Sequence, residues 1–292
     1  MKNYIYILVL VLIITPSIVV AQSYFDIANI SYEHSEYSPQ DAPDFAFDRF
    51  QARINLGTEL KNEDYILGSI SGEIFKFQDV QFGSEELDLY SSFISAGYLH
   101  FWNDKKWSLL TQVRFKLNSD HFSLQLEDLQ TGGWFMVTYK RSVKLSLFAG
   151  MYFNQEVDKD LLFPIGGIHW IPDDKWNLYV LVPSVIRFEW ILKKNSWYTG
   201  LESDWNLNSY LIKEDRDLAY FRKETLVTSV FIEKHISEKL ILFGKLGNYQ
   251  INDYEPFGNS GEQIRQPQLE SGLLRNLSLQ AGLAYRLRFQ SI

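Results

Sequence analysis

The chain has 292 residues, of which 46% are hydrophobic, 22% charged and 16% aromatic, with a formal net charge of −8. The acidic balance argues against nucleic acid as a partner, and the lack of cysteine excludes disulfides, thiolate metal sites and a lipid-modified N-terminal cysteine. A mean hydropathy of −0.17 argues against a bundle of membrane helices, while 17 Tyr, 21 Phe and 8 Trp suit a membrane interface better than a globular core.

Residues 1–21, MKNYIYILVLVLIITPSIVVA, run from a basic start through an apolar stretch to the small-residue exit Val19-Val20-Ala21. This order predicts a secretory signal peptide cut before Gln22, leaving residues 22–292 as one exported domain. Beyond it no apolar run of about 18 residues occurs, so no spanning helix is available.

The rest of the chain alternates with period two, the period of a strand. In FQARINLGTEL, Phe50, Ala52, Ile54 and Leu56 oppose Gln51, Arg53, Asn55 and Glu59. In WSLLTQVRFKL, Trp107, Leu109, Val113 and Phe115 oppose Gln112, Arg114 and Lys116. VIRFEWIL sets Ile186, Phe188, Trp190 and Leu192 against Arg187 and Glu189. The last segment sets Leu277, Leu279, Ala281, Leu283, Tyr285, Leu287 and Phe289 against Ser278, Gln280, Arg286 and Arg288. Two segments, YILGSISGEIFKF and YSSFISAGYLHFW, have low contrast and an ambiguous facing. Strands are predicted at 24–37, 48–60, 65–78, 88–102, 106–117, 131–140, 143–154, 161–171, 175–182, 185–192, 196–209, 221–234, 239–251 and 276–289. That makes fourteen, or twelve to thirteen if the short pair about Pro183-Ser184 merges with its neighbours.

Connections alternate between long (SPQDAPD, DVQFGSEE, NSDHFSLQLEDLQ) and short (KNED, NDKK, RS), as when alternate connections share one rim of an up-and-down barrel. Pro39, Pro43, Pro172, Pro183, Pro256 and Pro267 fall in connections, and Pro164 is expected near a strand end or bulge. Trp102, Trp107, Trp134, Trp170, Trp176 and Trp197 lie near strand ends, where aromatic girdles flank a bilayer. The predicted fold is therefore all-β: a transmembrane antiparallel up-and-down barrel of 12–14 strands in a Gram-negative outer membrane. A soluble sandwich or lipocalin-like barrel also alternates, but strands this long with aromatic ends fit it less well. Closure of the final strand onto the first would remove the sheet edge.

Residues 162–185 carry Phe163-Pro164-Ile165-Gly166-Gly167, Trp170-Ile171-Pro172-Asp173-Asp174-Lys175-Trp176 and Pro183. This stretch resembles a family of Gram-negative outer-membrane β-barrels of unknown function. The resemblance implies export, insertion by the barrel-assembly machinery and no established activity. The final strand, 276–289, is similar to the assembly signal of outer-membrane proteins, although Gln290-Ser291-Ile292 follow Phe289.

Chemistry-bearing patterns are few. Adjacent His34 and Ser35 point to opposite faces of a strand and cannot pair, and His169 reads as a polar tip near a rim. No histidine pair has metal-ligand spacing, so neither a cofactor nor a metal is expected. Glu202 and Asp204 share one face of a strand, where acid–base work or pairing with a neighbouring Arg are the options. Charged side chains on a lipid face would cost about 2–4 kcal/mol each for Arg or Lys at the midplane. Arg53, Arg114, Arg187, Glu189, Glu202, Asp204, Arg286 and Arg288 are therefore expected to line the lumen, together with Glu73. Acidic residues gather in the long loops, among them Asp41, Glu85, Asp120, Asp128 and Glu156, and lysines in the short turns. The acidic loops would share divalent cations with lipopolysaccharide or simply be solvated. The sequence thus predicts a passive pore for small solutes or ions, held in outer-membrane lipid and lipopolysaccharide. The alternatives are a non-conducting structural, binding or adhesion barrel, which a plugged and charge-paired lumen would favour, and a lipid-modifying enzyme.

Overall fold

The structure is a computed structural model that describes residues 24–37, 45–82, 85–121, 128–157, 159–212, 218–258 and 276–288. The predicted signal peptide, Phe289 and the acidic loop residues Asp41, Asp44, Glu127, Asp158, Glu214, Asp215, Asp217 and Glu262 lie outside these. No α-helix occurs among the described residues.

Fourteen strands follow in chain order: β1 Tyr24–Tyr37, β2 Phe45–Glu59, β3 Tyr65–Phe82, β4 Glu85–Trp102, β5 Trp107–Ser119, β6 Leu129–Ser142 and β7 Leu145–Gln155. Then come β8 Asp160–Trp170, β9 Trp176–Val182, β10 Val185–Lys193, β11 Trp197–Leu211, β12 Leu218–His235, β13 Leu240–Gly258 and β14 Asn276–Arg288. Each pairs antiparallel with its neighbours in sequence, and β14 pairs with β1, so the sheet closes on itself. Closure satisfies the backbone groups that two free edges would leave open.

Register turns the alternation into two surfaces. Cα partners place Ile54, Ile70, Ile94 and Phe115 in one row across β2 to β5, with relative exposures of 50%, 56%, 54% and 45%. One residue along, the neighbouring row Arg53, Ser71, Phe93, Lys116 faces the interior. The same contrast runs round the barrel: Ile30, Leu201, Val230, Leu246 and Leu279 are exposed, while Glu33, Glu202, Ser229, Tyr249 and Ser278 are buried. A register shift between Asp26 and Ala28 brings Asp26 to the inner face opposite Arg286.

The connections after β2, β4, β6, β8, β10 and β12 lie on one rim, and the two-residue turn Pro183-Ser184 after β9 lies on the other. Asn103, Asp104 and Lys105 take φ of 54°, 52° and 59° in the β4–β5 turn, a left-handed conformation that Asn and Asp tolerate well. Beside these turns the rings pack together: Trp102 stacks on Trp107 at 6.3 Å and Trp176 on Trp190 at 5.1 Å, and Trp107 meets Tyr139 tilted at 4.6 Å between centroids. Lys106, Lys234 and Lys239 lie over Tyr139, Trp197 and Tyr285. Trp134 does not join this girdle. It sits on the inner face of β6, donates to the Gln112 Oε1 and packs against an interior apolar cluster.

Pro164 also differs from expectation, lying inside β8 with Met151 as its Cα partner. The reason is the shortness of β9, whose pairing with β8 extends no further than Val182 opposite Gly166. Beyond that point β8 has no paired strand on that side among the described residues, the kind of edge position where a proline is tolerated.

Candidate functional site

The interior holds the chemistry. The register of β10 on β11 sets Arg187 opposite Glu202, and that of β1 on β14 sets Asp26 opposite Arg286. Arg187 pairs with Glu202, with Glu233 at 2.7 Å and with Glu189 at 3.5 Å. Arg286 pairs with Asp26 and, at 2.7 Å, with the same Glu233. Lys245 completes the network on Glu202. The Tyr24 ring lies under both guanidiniums, 5.3 Å from Arg187 and 3.7 Å from Arg286. Six strands therefore meet in one buried web of alternating charge. Such a web is costly to break because a removed partner leaves an uncompensated charge behind.

A second network lies nearer the long-loop end. Arg49 on β2 pairs with Glu33 on β1 and, at 3.7 Å, with Glu73 on β3. Glu33 also accepts hydrogen bonds from the Tyr249 and Ser278 hydroxyls, both at 2.6 Å. Above it Phe47, Phe75, Phe77, Leu89, Tyr210, Ile212, Phe221 and Tyr249 form one cluster, none more than 5% exposed. The cluster crosses the lumen: Phe47 meets Tyr249 at 5.9 Å and Phe77 meets Phe221 at 6.1 Å, contacts between strands that are not neighbours. The Lys223 Nζ lies 3.3 Å from the Phe75 ring centre.

Beside this cluster the wall folds in on itself. Ser119 at the end of β5 pairs with Leu211 at the end of β11, on the far side of the barrel. The Asn118 and Gln130 side chains donate to the Ser209 carbonyl at 2.9 and 3.0 Å. Glu156, just past β7, is the hub. It pairs with Lys116 at 2.9 Å and accepts from the Ser209 N–H and hydroxyl at 2.7 and 2.6 Å. The Val157 N–H donates to the Ser209 Oγ at 2.7 Å. A roof of hydrogen bonds thus spans β5, β7 and β11. Glu156, Asp120 and Asp128 are 4%, 8% and 2% exposed, which corrects the expectation of solvated or cation-sharing loop acids at these three positions. Glu156 is drawn in by the Ser209 donors of the roof, and Asp120 by Ser119 and His121.

The other predicted residues fall as follows. Arg53 and Arg114 both contact the Phe93 ring, at 5.3 and 5.7 Å from its centre. Arg187, Glu189, Glu202 and Arg286 join the main web, and Asp204 follows Glu202 on the same face of β11. The Arg288 side chain lies outside the described ones. Asp26, Glu33, Arg49, Glu156, Glu233 and Lys245 were not legible as site residues. Asp26 is displaced by the β1 bulge, around Glu33 the outer face also carries polar residues, His34 and Glu36, and around Glu233 and Lys245 both faces of the strand carry apolar residues.

The histidines hold structural positions. His34 turns outward to Asp48 at 2.9 Å while Ser35 turns inward to Glu33. His169 is buried against the Asn177 Oδ1 at 2.8 Å instead of forming a rim tip. Ser119 Oγ and Asp120 Oδ1 both contact the Nδ1 of His121, at 2.6 and 2.9 Å. A nucleophile relay needs its acid and its serine on different ring nitrogens, so this trio is not one. No three His, Cys, Asp or Glu cluster as a metal site among the described residues.

A closed antiparallel barrel, apolar outside and charged inside, defines a porin-like barrel fold. The chain belongs to the family described as Domain of unknown function (DUF6268), which matches residues 24–286. No curated protein matches the sequence. Among solved structures it is similar to "KdgM porin in complex with disordered oligogalacturonate", at 12% identity over 90% of this chain and 99% of that one, TM-score 0.37. It is likewise similar to "NanC porin structure in rhombohedral crystal form", at 8% identity over 88% and 100%, TM-score 0.39. A third is "TodX monoaromatic hydrocarbon channel deltaS2 mutant", at 10% identity over 91% and 90%, TM-score 0.42. At these identities the likeness is one of architecture.

Proposed function

We propose that this protein is an integral outer-membrane β-barrel whose lumen is closed at the long-loop end, a binding or envelope-structural barrel at rest and not an open pore. The observation that carries the closure is the contact of β5 with β11 across the interior, held by Glu156 and flanked by the aromatic cluster. The membrane assignment rests on the outer face: a continuous belt of exposed Ile, Leu, Val and Phe is far larger than the apolar patches soluble proteins tolerate. Outer-membrane lipid and lipopolysaccharide would surround that belt. Residues 1–21 would direct export, and the final strand would be read by the barrel-assembly machinery.

A second reading, a passive channel for small solutes, is favoured by one observation. Arg53 points inward yet is exposed, so the interior has room for water beside it. In that reading the roof is a gate.

Single-channel recording in a planar bilayer separates the two. The wild-type barrel is expected to be electrically silent. Glu156→Ala combined with Ser209→Ala is expected to give discrete steps, because the β7–β8 connection loses its hold on β11. Stable steps from the wild type would overturn the closed reading and establish the channel.

A further inference from the structure

Arg53 and Arg114 stand apart from the ion-paired inward cations, and unlike Lys223, which is buried against Phe75 in the aromatic cluster, they share a ring on the open wall. Arg49, Lys116, Arg187, Lys245 and Arg286 each have a carboxylate within ion-pair distance. Arg53 makes no hydrogen bond and no ion pair among the described residues, and the residue is exposed on the inner face. Arg114 bonds the Tyr152 hydroxyl and, at 3.4 Å, the Asn154 Oδ1, both uncharged. The two guanidiniums share the Phe93 ring, so they lie within one small molecule's length of each other. Like charges held this close in a confined interior repel, and a bound anion relieves the repulsion.

A second observation points to the same place. The Ser95 side chain faces inward, is 5% exposed, and its hydroxyl has no hydrogen-bond partner. Ser95 is the Cα partner of Arg114 and lies two residues along β4 from Phe93. Buried hydroxyls are nearly always partnered, so an unmet donor beside two uncompensated arginines marks a place for an acceptor. Guanidinium forks match a carboxylate bidentately, and the Phe93 and Tyr152 rings offer flat apolar surface beside them.

The geometry points to a ligand site on the inner wall, formed by Arg53, Arg114, Ser95 and Phe93, for a small organic carboxylate that carries a flat ring. The site deepens the proposed function, since it rests on the interior being a water-holding chamber.

Isothermal titration of the refolded full barrel in detergent tests it, with benzoate as probe, benzyl alcohol as its uncharged counterpart and inorganic phosphate as a ringless anion. Benzoate is expected to bind saturably, and the other two at least about tenfold more weakly, since one lacks the charge and the other the ring. Arg53→Gln and Arg114→Gln should each weaken benzoate by about tenfold or more. Ser95→Ala should weaken it severalfold, and Lys194→Gln in a short turn should not change it. Heat-modified gel mobility confirms that each variant is folded. The same titration on Glu156→Ala provides a route past the roof. Absence of benzoate binding in both wild type and Glu156→Ala overturns the site, as does equal binding of phosphate or of benzyl alcohol. A silent bilayer with no binding removes the site alone, whereas open steps with binding remove the closure and leave the site standing.

Discussion

Asp64 shows how one carboxylate is held at the short-turn rim. It sits just before β3, is 1% exposed in its side chain, and accepts from Tyr98, from the Phe101 N–H at 3.1 Å and from Asn62 at 2.6 Å, with the His100 Nδ1 at 2.9 Å. Burial alone would raise its pKa, but the bonds from Tyr98, His100 and Phe101 together outweigh it and hold the carboxyl down at about 2. An unfolded aspartate titrates near 3.9. The folded state therefore keeps the ion longer than the unfolded one. This contribution to stability is complete above about pH 4 and disappears as the pH falls to about 2. Urea unfolding from pH 5 to pH 2 should show the wild type losing stability in that window, with Asp64→Asn less stable at pH 5 and flatter below. Parallel curves for the two proteins would mean that the carboxylate is not the group responsible.

At the scale of the element, β8 shows what its paired glycines are for. A Cβ on Gly167 would lie 1.8 Å from the Val180 carbonyl oxygen and 3.1 Å from the Leu181 Cα, both backbone atoms of β9. A Cβ on Gly166 would meet nothing closer than the Phe148 oxygen, at 3.4 Å. Only the second glycine lets the two strands approach. Gly167→Ala should therefore destabilise the barrel by about 1–3 kcal/mol, the usual cost of forced overpacking, and Gly166→Ala by clearly less. Equal unfolding midpoints for the two variants in detergent would show that β9 moves aside freely. The same hairpin explains the wall above it. Because β9 has 7 residues while β12 and β13 have 18 and 19, the rim is uneven.

For the molecule as a whole, the two faces obey different solvents. Ile70 lies in the middle of the apolar row from Ile54 to Phe115, and the outer face of β3 becomes polar only at Lys76 and Gln78. Ile70→Arg should cost about 2–4 kcal/mol in lipid vesicles, the depth-dependent cost of a cation at the midplane. Gln51→Arg places the same charge on the inner face, where Gln51 already reaches Glu73 at 3.4 Å, and should cost far less. If Ile70→Arg folds into vesicles as stably as the wild type, the belt does not face lipid. The interior explains itself by the same logic. Glu233 serves both Arg187 and Arg286, so the web ties β10, β12 and β14 together and resists any opening that separates them.

Much of this was legible in the chain. Period-two alternation requires strands whatever surrounds them, and clean contrast in β2, β5, β10 and β14 told the apolar face from the polar one. Fourteen segments and their alternating connections then left little freedom beyond closure. The facing of β3 and β4 was not legible, and the structure shows why: their inner residues Phe75, Phe77 and Leu89 belong to the aromatic cluster, so both faces are apolar and the contrast vanishes. Glu156 could be read as a loop acid but not as the hub that joins β7 to β11. Local periodicity depends on neighbours in sequence, and it determined the strands, the belt and the membrane-facing side. Which residues meet across the lumen depends on how a closed sheet bends, and only the tertiary structure decided that the barrel is roofed and where two arginines are left without a carboxylate.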